Sequence, residues 1–336
     1  MNKLMLILLA LILLTSCGSK NAPDVSAIKV NVPIGRFDKD FFGADTSNII
    51  QSLDAVDRKY PYFFTDFLQN IVIAGGNDTV RDLPVLIKTY INHSKPLYDS
   101  VQLKFNNLGN IEQELKKGFQ YVKYYYPDYK VPRLVTYVGL IGDPSVALTK
   151  EAMAIGLQMY LGKKFSAYNT LEAIDKFPQY ISRRFEPQYI PVNCFQNIAQ
   201  DIYPENARGQ TLVEQIIEKG KQWWLVDKFL PAAADSLKTS YTQVQLDWCK
   251  KNEGLVWNYI IQNNDIYTTE PTIIQNFIGE APKTDGMPDA SPGNIGQWIG
   301  WQIVKTFAEK NNSLSVPQVM QTDAKKIFEA AKYKPK

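Results

Sequence analysis

Apolar and polar positions alternate over residues 28–34, which predicts a β-strand. A short polar-aromatic connection, Arg36-Phe37-Asp38-Lys39-Asp40-Phe41-Phe42, follows it. The spacing over 45–82 predicts two helices. Thr46 or Ser47 would cap the first, and Pro61 would open the second at its first position. Phe63, Phe64, Phe67, Leu68 and Ile71 recur there at helical intervals. Residues 83–105 read as one or two further helices, and 111–126 as a strongly amphipathic one stopped by Pro127. The pattern then turns β-rich over 133–140 and 152–161, with a short piece at 145–148 between them. Helical periodicity returns over 179–185, 191–202, 212–229, 241–262, 272–278, 293–309 and 323–331. Residues 280–292 form a loop rich in Pro, Gly and Asp. No internal repeat or low-complexity tract breaks this order. The expected fold class is α+β, predominantly helical, with a small central β-sheet.

One apolar run stands apart. Residues 4–14 are continuously apolar after Lys3, and the run ends in Leu14-Thr15-Ser16-Cys17. It is signal-peptide length, well short of the roughly 20 residues that span a bilayer as a helix. The small residues before Cys17 read as a lipobox, with cleavage before that cysteine and acylation, palmitate included, on its thiol. Two or three acyl chains give a stable membrane anchor where one would not. The expected organisation is a signal peptide at 1–16, a lipidated tether at 17–27 and one α+β domain at 28–336. Gly18 to Asp24 carries no acidic run, so a periplasm-facing position is expected, with inner or outer membrane left undecided.

Composition narrows the function classes. An apolar content of 45% with 12% aromatics belongs to a globular chain. The net charge of +3 comes from charges of both signs spread along the sequence, with no basic block for nucleic acid. After Cys17, only Cys194 and Cys249 remain; they could form one disulfide or stay as buried thiols. His93 is the only histidine. Most hydrolytic zinc sites need two or three imidazoles, and Ser or Cys nucleophiles usually need one as base. His93 is expected near a helix end in a structural or surface role. Nucleotide-binding, nucleophile-elbow and C-x-x-C signatures are missing as well. Carboxylates are plentiful, and Glu186, Asp201, Glu214, Glu218 and Asp247 are the strongest candidates for acid–base work. Each sits on a predicted helix where an ion pair or a solvated face is the ordinary role. The six tryptophans are expected to be buried against helices rather than to line a glycan groove. Gly296 and Gly300, four apart on one helix, predict a close backbone approach.

Several segments, taken in order, resemble a known family. They are Arg36 to Phe42, Lys59-Tyr60-Pro61-Tyr62-Phe63-Phe64, Ala154 to Gly162, the stretch 180–231 with Gln215-Ile216-Ile217-Glu218-Lys219-Gly220-Lys221, Tyr241-Thr242 with Gln245 and Trp248-Cys249, and Ser291 to Trp301. Their order and spacing resemble the gliding-motility lipoprotein family GldB of Bacteroidetes across nearly the whole mature chain. That family is similar in turn to zinc-dependent proteases of zincin type, which carry H-E-x-x-H on one helix and a downstream glutamate as third ligand. The resemblance places Asn193 and Asn197 where the histidines belong, Cys194 at the general-base glutamate and Lys219 at the ligand glutamate. Asn is a poor zinc ligand and a lysine opposes a cation. The resemblance therefore implies a zincin-like scaffold without its metal chemistry: a non-catalytic envelope lipoprotein, a pseudoenzyme, supporting gliding motility or an associated secretion assembly. It implies no metal, no catalytic residue and no cofactor beyond the lipid on Cys17. Expected partners are the membrane, through that lipid, and envelope proteins of the gliding or secretion machinery. The residues by themselves leave two alternatives open: a cell-wall hydrolase or peptidase using carboxylates, and a glycan- or peptide-binding module.

Overall fold

The computed structural model describes residues 22–74, 82–205, 207, 209–263 and 266–335. The predicted signal peptide and Cys17 lie outside the described residues. No helix among the described residues is long and apolar enough to cross a membrane.

The sheet has four strands: β1 (Ile34–Gly35), β2 (Arg133–Tyr137), β3 (Val146–Leu148) and β4 (Ala152–Gly156), in the order β1-β2-β4-β3. β1, β2 and β4 run parallel, with Leu134 opposite Met153, and β3 returns antiparallel along the outer edge of β4. β4 is buried along its whole length and β2 at all but its first residue. Both are apolar almost throughout because protein covers both of their faces.

The helices that surround it are α1 (Phe37–Phe42), α2 (Ile49–Lys59), α3 (Leu83–Lys104), α4 (Gly109–Tyr125), α5 (Ile190–Ile202), α6 (Leu212–Phe229), α7 (Gln243–Lys251), α8 (Glu253–Asn263), α9 (Pro271–Ile278), α10 (Ile295–Lys310), α11 (Val316–Gln321) and α12 (Ala324–Ala331). The α+β class with helices dominant is what the sequence predicts, but several boundaries move. Of the strand predicted at 28–34, only Ile34 pairs, because Pro33 has no N–H to give a ladder. Neither Thr46 nor Ser47 caps the first helix. Asp45 caps a 3₁₀ turn by accepting from the Ser47 amide at 2.8 Å, and α2 follows it. Pro61 does not open the next helix. It lies in the turn after α2, and helix resumes at Phe64, passing into a π-helical turn at Leu68–Ile73. The β-rich stretch at 152–161 leaves the strand after Gly156 for a 3₁₀ turn at Leu157–Met159. α3 is one continuous helix in spite of Pro96, so His93 sits exposed in mid-helix and caps nothing. The helix predicted at 241–262 breaks at Asn252 into α7 and α8. Residues 37–42, read from sequence as part of a connection, form helix α1, and the short helices at Leu171–Lys176 and Asp235–Thr239, and α11, were not predicted either.

Two packing knots hold the fold. In the first, Phe37 meets Phe67 at 4.9 Å and Phe63 at 5.0 Å between ring centroids, and Phe67 touches Tyr90 and Tyr137. Beside them the fully buried Asp38 is paired with Arg36 through two bonds, at 2.7 and 2.9 Å. It also accepts from Thr136 at 2.6 Å and Gln102 at 2.8 Å. Four donors offset the desolvation of that carboxylate and tie α1, α3 and β2 together. In the second knot, α6 crosses α10 where Gly220 meets Gly300. A Cβ on Gly300 would stand 1.9 Å from the Ile216 carbonyl oxygen, and one on Gly220 would stand 2.1 Å from the Gly300 carbonyl carbon. The close approach predicted from Gly296 and Gly300 is present, and Gly220 on α6 is its counterpart.

Candidate functional site

α5 and α6 each divide into two faces, and the division builds the site. On α5, Ile190, Cys194, Phe195, Ile198 and Ala199 are buried. Asn193, Gln196, Asn197 and Gln200, at i, i+3, i+4 and i+7, point the other way. α6 begins in a capping box: Glu214 accepts from the Thr211 amide at 2.9 Å and from its hydroxyl at 2.5 Å. From α6, Lys219, Gln222, Trp223 and Val226 repeat the same spacing. The two stripes face one cleft of about 570 Å³. Its other walls are the loop of Gly142 to Ser145 ahead of β3, Tyr160 after β4, Phe177, Arg184 and Phe185, and the segments carrying Lys238 to Ser240, Glu280, Asn294 and Gln297.

Asn193, Asn197 and Lys219 thus lie in the same cleft. The Asn193 carboxamide donates to the Tyr160 hydroxyl at 2.8 Å, and the Asn197 carboxamide donates back to the Asn193 carbonyl at 2.9 Å. The Lys219 ammonium donates to Glu205 at 2.6 Å. Cys194 departs from the placement expected of it. It is fully buried on the opposite face of α5, and burial pushes its thiol well above the usual range. Cys249 is also a buried free thiol, pushed up to about 12 by burial, so the two do not form a disulfide.

None of the five nominated carboxylates lines the cleft. Glu186 accepts from the Lys163 amide, Asp201 from the Tyr129 hydroxyl and Asp247 from the Gln243 carboxamide. Glu214 belongs to the capping box, and Glu218 neutralises the buried Lys221 at 2.6 Å. The carboxylates that do line the cleft are Asp143, Glu205 and Glu280, which sequence reasoning missed. Glu205 is engaged by Lys219, and Glu280 by Arg184 through two contacts at 3.2 and 3.3 Å. Asp143 accepts from the Leu140 amide at 2.6 Å, and burial raises its pKa. Gln196, Gln200 and Gln222 were missed too. The polar stripe on α5 was the available signal, since it follows from the same periodicity that marks the buried face.

The donor set does not fit a zinc ion. The two asparagines offer only neutral amide oxygens, which are poor zinc ligands, and Lys219 presents an ammonium. Among the described residues no group of three or more His, Cys, Asp or Glu side chains could hold a metal ion. Five of the six tryptophans are buried, and Trp248 is half-buried. Trp223 touches the cleft but keeps only 8% of its surface exposed, with its ring set edge-on against Tyr241 and Trp301.

Residues 18–335 match the family described as gliding motility protein GldB. No curated protein and no solved structure matches the chain. The match covers all but residues 1–17 and the last residue, and on that ground the chain belongs to the GldB family of gliding motility proteins.

Proposed function

We propose that the protein is a non-catalytic lipoprotein of the cell envelope, anchored through Cys17, that supports gliding motility or an associated secretion assembly. The family match over residues 18–335 carries this reading. That match starts at Gly18, immediately after the cysteine of the lipobox, in keeping with a mature chain that begins at Cys17. The non-catalytic part draws support from the cleft. Two carboxamides and an ammonium occupy the positions that the resemblance to zinc proteases assigns to the metal ligands, and the nearby carboxylates Glu205 and Glu280 are held by Lys219 and Arg184. In this reading the scaffold is a metalloprotease-like one whose catalytic set has been replaced while the cleft remains.

The test uses full-length protein, purified in detergent without chelator, for elemental analysis together with a broad protease and muralytic screen. The expected result is no stoichiometric zinc and no turnover. One zinc per chain, or turnover lost on changing a single carboxylate, would overturn the non-catalytic reading. The triple variant N193H/N197H/K219E adds a second arm. On a metalloprotease-like scaffold the restored side chains gather on one metal, and the folded variant takes up one zinc per chain. A folded triple variant that binds none would remove the protease-like part of the proposal.

A further inference from the structure

The geometry points to an uncharged stretch of extended polypeptide as the ligand of the α5–α6 cleft. This rests on the non-catalytic reading only in that the peptide is held and not cut.

Five of the six charged side chains of the cleft wall are paired within the protein, and the sixth, Asp143, is engaged by the Leu140 amide at 2.6 Å and has its pKa raised by burial. Lys219 pairs with Glu205 at 2.6 Å, Arg184 with Glu280 at 3.2 Å and Lys238 with Asp227 at 2.5 Å. A ligand of strong net charge would have to break one of these pairs. What remains to meet a ligand is a set of carboxamides. Gln196 and Gln200 bond to no described residue. Gln222 is nearly buried. Its Nε2 donates to the Tyr203 carbonyl at 2.6 Å, while its Oε1 is buried without a partner among the described residues. A buried acceptor left unpaired is costly, so it calls for a donor from the ligand. Each carboxamide offers one acceptor and a donor pair, which complements the C=O and N–H of a peptide unit.

The spacing fits as well. Gln196 and Gln200 are one turn apart, about 6 Å along the α5 axis. Alternate residues of an extended chain repeat at about 6.7 Å, so two carboxamides of the stripe can serve alternate peptide units of one strand. A carbohydrate ligand is disfavoured because the rings of the cleft are already engaged: Trp223 and Phe185 are buried, and Phe177 is set edge-on against Phe185 with the Lys176 ammonium 5.6 Å from its centroid.

The test measures fluorescence anisotropy of a pool of short peptides, blocked at both ends and built from Ser, Thr, Ala, Val, Asn and Gln, with full-length protein in detergent. Chitotetraose serves as the competing probe. The expected result is saturable binding of the pool, weakened about tenfold by Gln196→Ala/Gln200→Ala, whose loss removes several hydrogen bonds at little risk to the core. Gln222→Met should weaken it as well. Absence of saturable binding overturns the inference, as does affinity unchanged in the Gln196→Ala/Gln200→Ala variant. Chitotetraose binding that depends on those glutamines, with none for the pool, also overturns it and assigns the cleft to glycan. Mass spectrometry of the incubated pool separates the two proposals. Cleaved peptide would sink the non-catalytic reading while leaving the cleft a peptide site. Intact peptide that never binds would sink this inference alone.

Discussion

Glu218 and Lys221 show how much of the charge on α6 serves the fold. Lys221 is completely buried and its ammonium has two partners, Glu218 at 2.6 Å and the Tyr203 hydroxyl at 3.1 Å. Neither charge could be left alone there, because an unpaired buried ion costs several kcal/mol. Glu218→Gln keeps the shape and removes the counter-charge. We expect a loss of about 3 kcal/mol in chemical denaturation, with Glu218→Gln/Lys221→Met recovering most of it. A double variant as unstable as the single one would mean that the pair is not what holds this point. The same logic applies to Asp38 on α1, whose four donors come from Arg36 just ahead of that helix, from α3 and from β2 and so join elements far apart in the chain.

At the scale of elements, the contact between α6 and α10 decides how the helical half is assembled. Two glycines meeting backbone to backbone allow an approach that no side chain permits. Gly300→Ala would drive a methyl group against the Ile216 carbonyl, and relief requires moving a whole helix rather than one side chain. The expected cost is about 3 kcal/mol, at the upper end of overpacking effects. Equilibrium denaturation of the variant checks it, and an unchanged midpoint would show that the helices cross elsewhere. Because α6 also carries Lys219, Gln222 and Trp223 into the cleft, a shift at this crossing should disturb the cleft as well as the stability.

For the whole molecule, the leading question is attachment. The family match leaves residues 1–17 outside it, and no described helix can cross a membrane. Attachment through lipid on Cys17 then predicts a clean outcome for Cys17→Ser. The protein should move from the membrane to the soluble fraction on cell fractionation, with its far-UV circular dichroism unchanged. Retention of the folded variant in the membrane fraction would show that another surface, or a partner, holds it there. The cleft belongs to this scale too. Its walls come from the β2–β3 loop, from α5 and α6, and from segments near residues 240, 280 and 294, so no single element contains it.

Local pattern was enough for the helical bulk of the fold and for the short sheet. Each rests on periodicity or on a contiguous run of side chains, which the chain carries without reference to its neighbours. α6 was predicted at the bounds it has, Leu212–Phe229, and the burial of five of the six tryptophans followed from the helices that carry them. Boundaries failed where a competing local group won, as when Asp45 took the cap from Thr46 and Ser47, or where Pro33 denied a ladder its donor. The single histidine ruled out an H-E-x-x-H site from composition alone. Only the tertiary structure decided which polar residues work together. The five carboxylates nominated from sequence are scattered into one capping box, one ion pair and three separate hydrogen bonds, whereas Asp143, Gln196, Gln200 and Gln222 converge from three separate segments on one cleft. A helix stripe tells which residues face away from the core. What they face is set by long-range packing, and here by two glycines, Gly220 on α6 and Gly300 on α10, that stand 80 positions apart and let the two helices close.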